Sequence, residues 1–155
     1  MSKEHTHMSD EARVRTLIED WAKAVSSGDR KAILAHHSPD MFMFDFPAPP
    51  VQGIDAYDRQ WDFFFTAPKG PISFVPSDLE VLAGDDVAFA YCSIHCEGTS
   101  AGPLDLRLTV GLRKVEDEWI VLHEHHSVPT IDERFLPPNA QRLEASDGTP
   151  PVSTG

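Results

Sequence analysis

The chain has 155 residues, 41% of them hydrophobic, and this length and composition suit one globular domain with a hydrophobic core. Its formal net charge of -12 at pH 7 argues against nucleic acids and anionic membrane surfaces as partners, because both attract positively charged proteins. No apolar run approaches the roughly 20 residues of a membrane span and the first residues lack a signal-peptide hydrophobic segment, so we expect a cytoplasmic protein.

A long helix is predicted near the start of the chain. Residues 1–8 are polar and are expected to be disordered, whereas Ser9 can cap a helix that begins with two acidic residues and ends at Gly28. Apolar residues recur in this segment at steps of three and four, which is typical of one buried helix face. They are Val14, Leu17, Ile18, Trp21 and Val25.

Two further helices are predicted. Asp29 can cap a short one that continues towards His36 and His37 and stops before Pro39. Another follows Gly53 and ends near Pro68 and Gly70. Its apolar face consists of Ile54, Tyr57, Trp61, Phe64 and Phe65.

Between these helices, Met41–Phe46 is a short apolar run that we interpret as a strand. The prolines that follow, in residues 47–50, cannot continue a hydrogen-bonded ladder and predict a loop. Asp45 is the single ionisable residue of the run, which makes it a candidate functional group.

From residue 72 the apolar residues alternate with polar ones, as in half-buried strands. We predict a four-stranded antiparallel meander over residues 72–82, 87–96, 104–114 and 119–127. Cys92 and Cys96 share a face of the second meander strand but are too far apart along it for a disulfide bond. Residues 130–155 are rich in proline and small polar residues and predict a largely disordered tail.

Helices followed by a meander indicate an α+β domain over residues 9–129. We expect a cone-shaped domain, in which three N-terminal helices pack on a curved, mostly antiparallel β-sheet and enclose a pocket.

The order of elements and four sequence segments resemble the nuclear transport factor 2-like superfamily, which includes SnoaL-like and ketosteroid isomerase-like proteins. The segments are residues 21–29, residues 45–56, residues 107–110, and Trp119 followed by His123, His125, Ser127 and Pro129. The last segment resembles the closing strand of the association domain of calcium/calmodulin-dependent kinase.

The resemblance implies a role for Asp45, which falls where ketosteroid isomerases carry the general base that removes a proton next to a carbonyl group. The alternative is a carboxylate that caps nearby N–H groups. The oxyanion hole of those enzymes does not carry over, because Trp21 and Thr109 stand at the positions of its tyrosine and protonated aspartate. Steroid isomerisation as such is therefore not expected.

The last predicted strand carries four ionisable residues in a row. Alternation places Glu124 and His126 on one face and His123 and His125 on the other, together with Trp119. The kinase association domain implies that His126 faces the pocket, so Glu124 and His126 are the predicted partners of Asp45 in catalysis; a bulge in the strand would reverse the two faces. Interface histidines are the alternative.

Other residues are candidates for contacts with a substrate. An arginine can anchor an anionic group, although a cross-strand salt bridge is the simpler interpretation of Arg107, and the aromatic residues can belong to the core or to the pocket wall. The predicted substrate-binding residues are Trp21, Phe44, Tyr57, Trp61, Phe65, Arg107 and His125.

A metal site formed by His95, His123 and His125 is compatible with the spacing but unspecific, and no metal or other cofactor is predicted. The sequence thus predicts a SnoaL-like enzyme of isomerase, cyclase or hydrolyase type that acts on a small apolar carbonyl compound by general acid/base chemistry. The alternative is a non-catalytic ligand-binding or oligomerisation module of the same fold. A homodimer formed through the outer sheet face is expected in either case.

Overall fold

The computed structural model describes residues 8–46, 48–129 and 132–138. Three α-helices pack on one curved, unclosed sheet of six strands. The helices are α1 (Asp10–Ser27), α2 (Arg30–Leu34) and α3 (Ile54–Phe64). The strands are β1 (His37–Phe44), β2 (Val51–Gln52), β3 (Ser73–Ala83), β4 (Val87–Glu97), β5 (Leu104–Val115) and β6 (Glu118–Ser127), and a 3-10 turn follows at Glu133–Phe135. The predicted α+β fold is confirmed.

The predicted caps of the first two helices are present. The Ser9 side chain accepts a hydrogen bond from the Ala12 N–H at the start of α1, and Gly28 ends that helix with a positive φ of 70°. Asp29 accepts a hydrogen bond from the Ala32 N–H at the start of α2. The predicted stripe of α1 faces the sheet, and most of its residues are buried.

The sheet order is β2-β1-β6-β5-β4-β3. Strands β3 to β6 form the predicted antiparallel meander. Strand β1, far earlier in the chain, joins the sheet by pairing in parallel with β6 and antiparallel with β2. This arrangement brings the end of β1 beside the end of β6, where Phe44 is paired with His125.

Strand β1 begins earlier than the sequence predicted, at His37 rather than at Met41. Helix α2 ends at Leu34, so His37 belongs to the sheet and not to the helix. Pro39, which has no backbone N–H, is tolerated inside the strand because the ladder to β6 is irregular between His37 and Phe42. No regular ladder hydrogen bond needs an N–H at this position.

Strand β6 contains a bulge that changes which residues face the helices. Gly111 and Leu112 of β5 are paired with His123 and Val121, so Leu122 is the extra residue. Trp119 therefore lies on the inner, buried face, together with Glu124 and His126. The prediction that Trp119 shares the outer face with His123 was wrong, because strict alternation does not hold across a bulge.

The outer face of the sheet carries several large apolar side chains that are exposed in the single chain. They are Phe44, Val75, Leu82, Val87, Phe89 and Tyr91. None of the helices in the described ranges combines the length and hydropathy that a membrane-spanning segment requires. The predicted disorder of residues 1–7 and of most of the tail falls outside the described residues.

Candidate functional site

A cavity of about 530 Å³ opens between α3, the end of β1, the end of β6 and the loop that joins β4 to β5. Its walls are mostly aromatic and aliphatic, with Trp61, Phe64 and Phe74 on one side. Asp45 and His126 also line it. The volume lies within the range of roughly 300–1,000 Å³ that is typical of small-molecule sites.

Asp45 reaches the cavity from the residue that follows β1. Its Oδ1 accepts a hydrogen bond of 2.9 Å from the Phe46 N–H, and its Oδ2 accepts one of 3.1 Å from Nε2 of Gln60 on α3. The carboxylate is thus held in one orientation by α3 and its own backbone. Each oxygen has a further lone pair, so it can accept another hydrogen bond from a ligand.

His126 reaches the same cavity from β6, although its side chain is only 8% exposed. Its Nε2 lies 3.1 Å from Oε2 of Glu124, two residues earlier on the same face. A carboxylate can only accept, so Nε2 carries the proton. Nδ1 has no hydrogen-bond partner among the described residues.

Glu124 does not line the cavity but lies behind His126, with 2% of its side chain exposed. Its Oε1 accepts hydrogen bonds from Nε2 of His37 at 2.9 Å and from the Tyr57 hydroxyl at 3.0 Å. The Tyr57 oxygen in turn accepts a hydrogen bond of 3.1 Å from the Trp21 indole N–H. These residues, with His126, form a buried polar cluster that joins α1, α3, β1 and β6.

The environment of the cluster changes the acidities of its members. Burial opposes ionisation of Glu124, but the hydrogen bonds from His126 and His37 outweigh it and hold the pKa of the carboxyl well below its ordinary value. Burial opposes protonation of His37, but its contacts with Glu124 outweigh that effect and raise its pKa. Burial and the nearby Glu124 charge raise the pKa of Tyr57, which is therefore a neutral donor.

Of the seven predicted substrate-binding residues, the structure places one, Trp61, in the lining of the cavity. Trp21 and Tyr57 lie deeper, in the polar cluster. Phe65 packs against Trp61 outside the cavity lining. Arg107 and His125 are exposed on the outer sheet face, and Phe44 lies against His125 there.

The histidines considered for a metal site are not gathered around one point. Both ring nitrogens of His95 are used, by Asp105 at 2.7 Å and by Glu97 at 3.0 Å. Within residues 8–46, 48–129 and 132–138, no three His, Cys, Asp or Glu side chains are arranged so that they could hold a metal ion. Cys92 and Cys96 are free and buried, as predicted.

Cys96 lines the cavity but is a poor nucleophile there. Burial, with a smaller effect of the Glu97 charge, raises the pKa of its thiol to about 11. The neutral thiol therefore predominates at neutral pH, whereas nucleophilic cysteines react as thiolates.

His37 is the member of the cluster that the sequence reasoning missed. The signal was present: His36 and His37 stand where a short helix must end before Pro39, and a strand that starts there would run beside the closing strand. The helical interpretation placed His37 outside the sheet and so removed it from the candidates.

Comparisons with known proteins agree with this architecture. Residues 14–131 match the family described as SnoaL-like domain. A nuclear transport factor 2-like protein of unknown function from Pseudomonas putida is 32% identical, with a TM-score of 0.74 over 85% of this chain and 100% of its own. No curated protein matches the chain significantly.

More distant structures share the fold. A proposed dehydratase from Streptomyces avermitilis is 16% identical, with a TM-score of 0.65 over 77% of this chain and 95% of its own. The calcium/calmodulin-dependent kinase II hub homology domain of Chlamydomonas reinhardtii is 20% identical, with a TM-score of 0.63 over 79% of this chain and 100% of its own. At this level of identity the likeness concerns the fold alone.

Proposed function

Since the chain belongs to the SnoaL-like domain family, we propose that it is an enzyme that uses its own side chains for general acid/base chemistry on a small, mostly apolar carbonyl compound. An isomerisation, cyclisation or hydration/dehydration fits this description. The observation that carries the proposal is the presence of two proton-accepting groups, Asp45 and His126, in the wall of one apolar cavity of about 530 Å³.

His126 is the better placed of the two groups to transfer a proton. Its Nε2 is engaged by Glu124, so the ring is oriented, and its Nδ1 is left without a partner among the described residues. A neutral imidazole in this tautomer accepts a proton at Nδ1 and can return it later in the reaction. Glu124 is a positioning residue in this scheme, because it does not line the cavity.

Asp45 is the second group. It directly follows Phe44, the last residue of β1, which is paired with His125, and both Asp45 and His126 line the cavity. Its anchoring by Gln60 and the Phe46 N–H preorganises it to receive a proton from the substrate or to orient a substrate hydroxyl. In this scheme either group can take the proton next to the carbonyl, and His126 can act as an acid once it has accepted a proton at Nδ1.

The cavity also restricts the substrate. None of the described residues that line it is a lysine or an arginine, and its hydrogen-bonding side chains besides Asp45 and His126 include Gln60, Thr99 and Ser100. A substrate carboxylate or phosphate would have no cation to pair with and would lie near the Asp45 charge. A neutral molecule with an aromatic or alicyclic body is the expected occupant.

The test uses two variants, Asp45→Asn and His126→Gln, and neutral cyclic ketones as probes. Exchange of the hydrogen next to the carbonyl for deuterium in D₂O, followed by NMR, reports proton abstraction even when the natural product is unknown. Loss of a general base is expected to slow exchange by about 10²–10⁴-fold.

The matched control is His125→Gln, which changes the neighbouring histidine on the outer face. It should exchange at the wild-type rate. Wild-type rates in both cavity variants, with the fold retained by circular dichroism, would contradict the proposed roles of Asp45 and His126.

The outer sheet face supports a second proposal, a homodimer. Val87, Phe89 and Tyr91 are 58%, 48% and 47% exposed in the single chain, and apolar side chains aligned on one face are typical of an interface. Sedimentation should give a dimer for the wild type and a monomer for Phe89→Glu, whereas a monomeric wild type would overturn the proposal.

If the protein dimerises but catalyses no hydrogen exchange of a ketone, the alternative function, a non-catalytic binding or oligomerisation module, replaces the enzymatic one. A cytoplasmic location stays a prediction.

A further inference from the structure

We propose that His37 is a positively charged imidazolium at neutral pH, and that it positions His126 for catalysis by keeping Glu124 ionised. The anion then fixes the His126 proton on Nε2, which leaves the Nδ1 lone pair for the cavity. The catalytic half of this inference rests on the proposed function, whereas the protonation states do not.

The hydrogen-bond partners of His37 favour the doubly protonated ring. Its Nδ1 lies 2.9 Å from the Ala35 carbonyl oxygen, which can only accept, so Nδ1 carries a proton. Its Nε2 lies 2.9 Å from Oε1 of Glu124. If that carboxyl is ionised, Nε2 carries a proton as well, and the ring is a cation.

The surroundings of Glu124 favour the ionised carboxyl. The Tyr57 hydroxyl donates to Oε1, while its oxygen accepts from the Trp21 indole N–H. With His37 and His126, three side chains thus direct potential donors at the two carboxylate oxygens. Three hydrogen bonds to a carboxylate stabilise its charged form strongly.

The charges that face His37 are few. Among the described residues, the titratable side chains in contact with it are Glu124 of β6 and Tyr57 of α3, whose ring stacks on the imidazole with 4.8 Å between centroids. Tyr57 is neutral, since burial and the Glu124 charge raise its pKa. The His37 cation and the Glu124 anion therefore balance one another within the cluster.

The charge of His37 affects His126, in the cavity wall, through the Glu124 carboxylate that both residues contact. Glu124 uses Oε1 for His37 and Tyr57 and Oε2 for His126. Without the His37 charge, the buried anion would take up a proton or draw a second proton onto His126. Because Tyr57 still donates to Oε1, the proton taken up in the first case lies on Oε2, and His126 must then present a bare Nε2 to it. In the second case His126 becomes a cation, so both routes remove the neutral Nε2–H ring.

The first test needs no substitution. In two-bond ¹⁵N–¹H correlation spectra of the labelled protein at pH 7.5, an imidazolium shows two protonated ring nitrogens, whereas a neutral ring shows one protonated and one bare nitrogen. The expected result is two protonated nitrogens for His37, and for His126 a protonated Nε2 with a bare Nδ1. A neutral His37 would overturn the inference.

The second test is His37→Gln, which keeps an N–H donor near Glu124 but removes the charge. His126 is expected to lose the pattern of the neutral Nε2–H ring, by either of the routes above. The matched control is His95→Gln, which removes a histidine paired with Asp105 and Glu97 on the exposed side of the sheet. The control should leave the His126 signals unchanged.

An unchanged His126 spectrum in His37→Gln would also overturn the inference. The outcome is separate from that of the proposed function, because the spectra are recorded on the free protein without a substrate. If the spectra agree but no hydrogen exchange of a ketone occurs, the polar cluster stands and the enzymatic proposal fails.

Discussion

Replacing Glu124 by glutamine tests how much the polar cluster contributes to the stability of the fold. The substitution keeps the shape of the side chain but removes its charge. Glutamine offers one acceptor oxygen, whereas His37, Tyr57 and His126 all donate to the native carboxylate. His37 would be left as a buried cation without an anion, or would have to lose a proton on folding.

The expected loss in the free energy of unfolding follows from the burial of the His37–Glu124 pair. The His37 and Glu124 side chains are 1% and 2% exposed, and their nearest atoms are 2.9 Å apart. Removing one partner of such a pair typically costs about 3–5 kcal/mol. In a protein of this size, about 2–4 °C is lost per kcal/mol, so we expect the melting temperature to fall by about 6–20 °C.

Urea unfolding at pH 6, followed by circular dichroism, gives the free energy of unfolding of each variant. The control is Glu97→Gln, which breaks the exposed pair with His95 and should leave the unfolding midpoint unchanged within error. A loss below about 1 kcal/mol for Glu124→Gln would refute the reasoning, because that is the range of surface ion pairs.

Three other results are expected. The stability difference between the wild type and Glu124→Gln should be largest between pH 4.5 and 6.5. The difference falls at higher pH because His37, whose pKa is raised from 6.5, loses its proton. It falls at lower pH because Glu124, whose pKa is lowered from 4.5, gains a proton. A pH titration of the urea midpoints checks this, and a difference that grows above pH 8 would contradict it. Tyr57→Phe should cost about 1–3 kcal/mol in the same assay, because Glu124 and a buried indole N–H each lose a partner, and an unchanged midpoint would argue against those hydrogen bonds. Gly98→Ala should lower the melting temperature more than Gly102→Ala. Both glycines have a positive φ, but only at Gly98 would the new Cβ lie 2.2 Å from a backbone oxygen. Equal decreases in melting temperature would contradict this.

Much of the architecture follows from local patterns. The stripe of α1, its caps at Ser9 and Gly28, and the alternation of the meander strands were sufficient to predict the helices and the antiparallel strand order. What alternation could not predict is the bulge at Leu122, because an inserted residue changes the face of every residue beyond it without a distinct sequence signal.

The site was less predictable than the fold. The inward orientation of Glu124 and His126 was confirmed, but the partners of Glu124 come from segments that are distant in sequence, such as His37, which is 87 residues away. No local pattern records such a pairing. Asp45 was singled out by a resemblance to isomerases, and its catalytic role stays a proposal.

The parallel pairing of β1 with β6 also bears on the order in which the protein folds. The meander contains hairpins that close over short loops, whereas β1 must wait for a strand about 80 residues further along the chain, as the pairing of Met43 with Glu124 shows. Contacts of such long sequence separation form slowly, because a large loop must be closed before they are gained. Asp45, His37 and His126 are therefore expected to come together in the last step, and a nascent chain that ends before β6 lacks both Glu124 and His126.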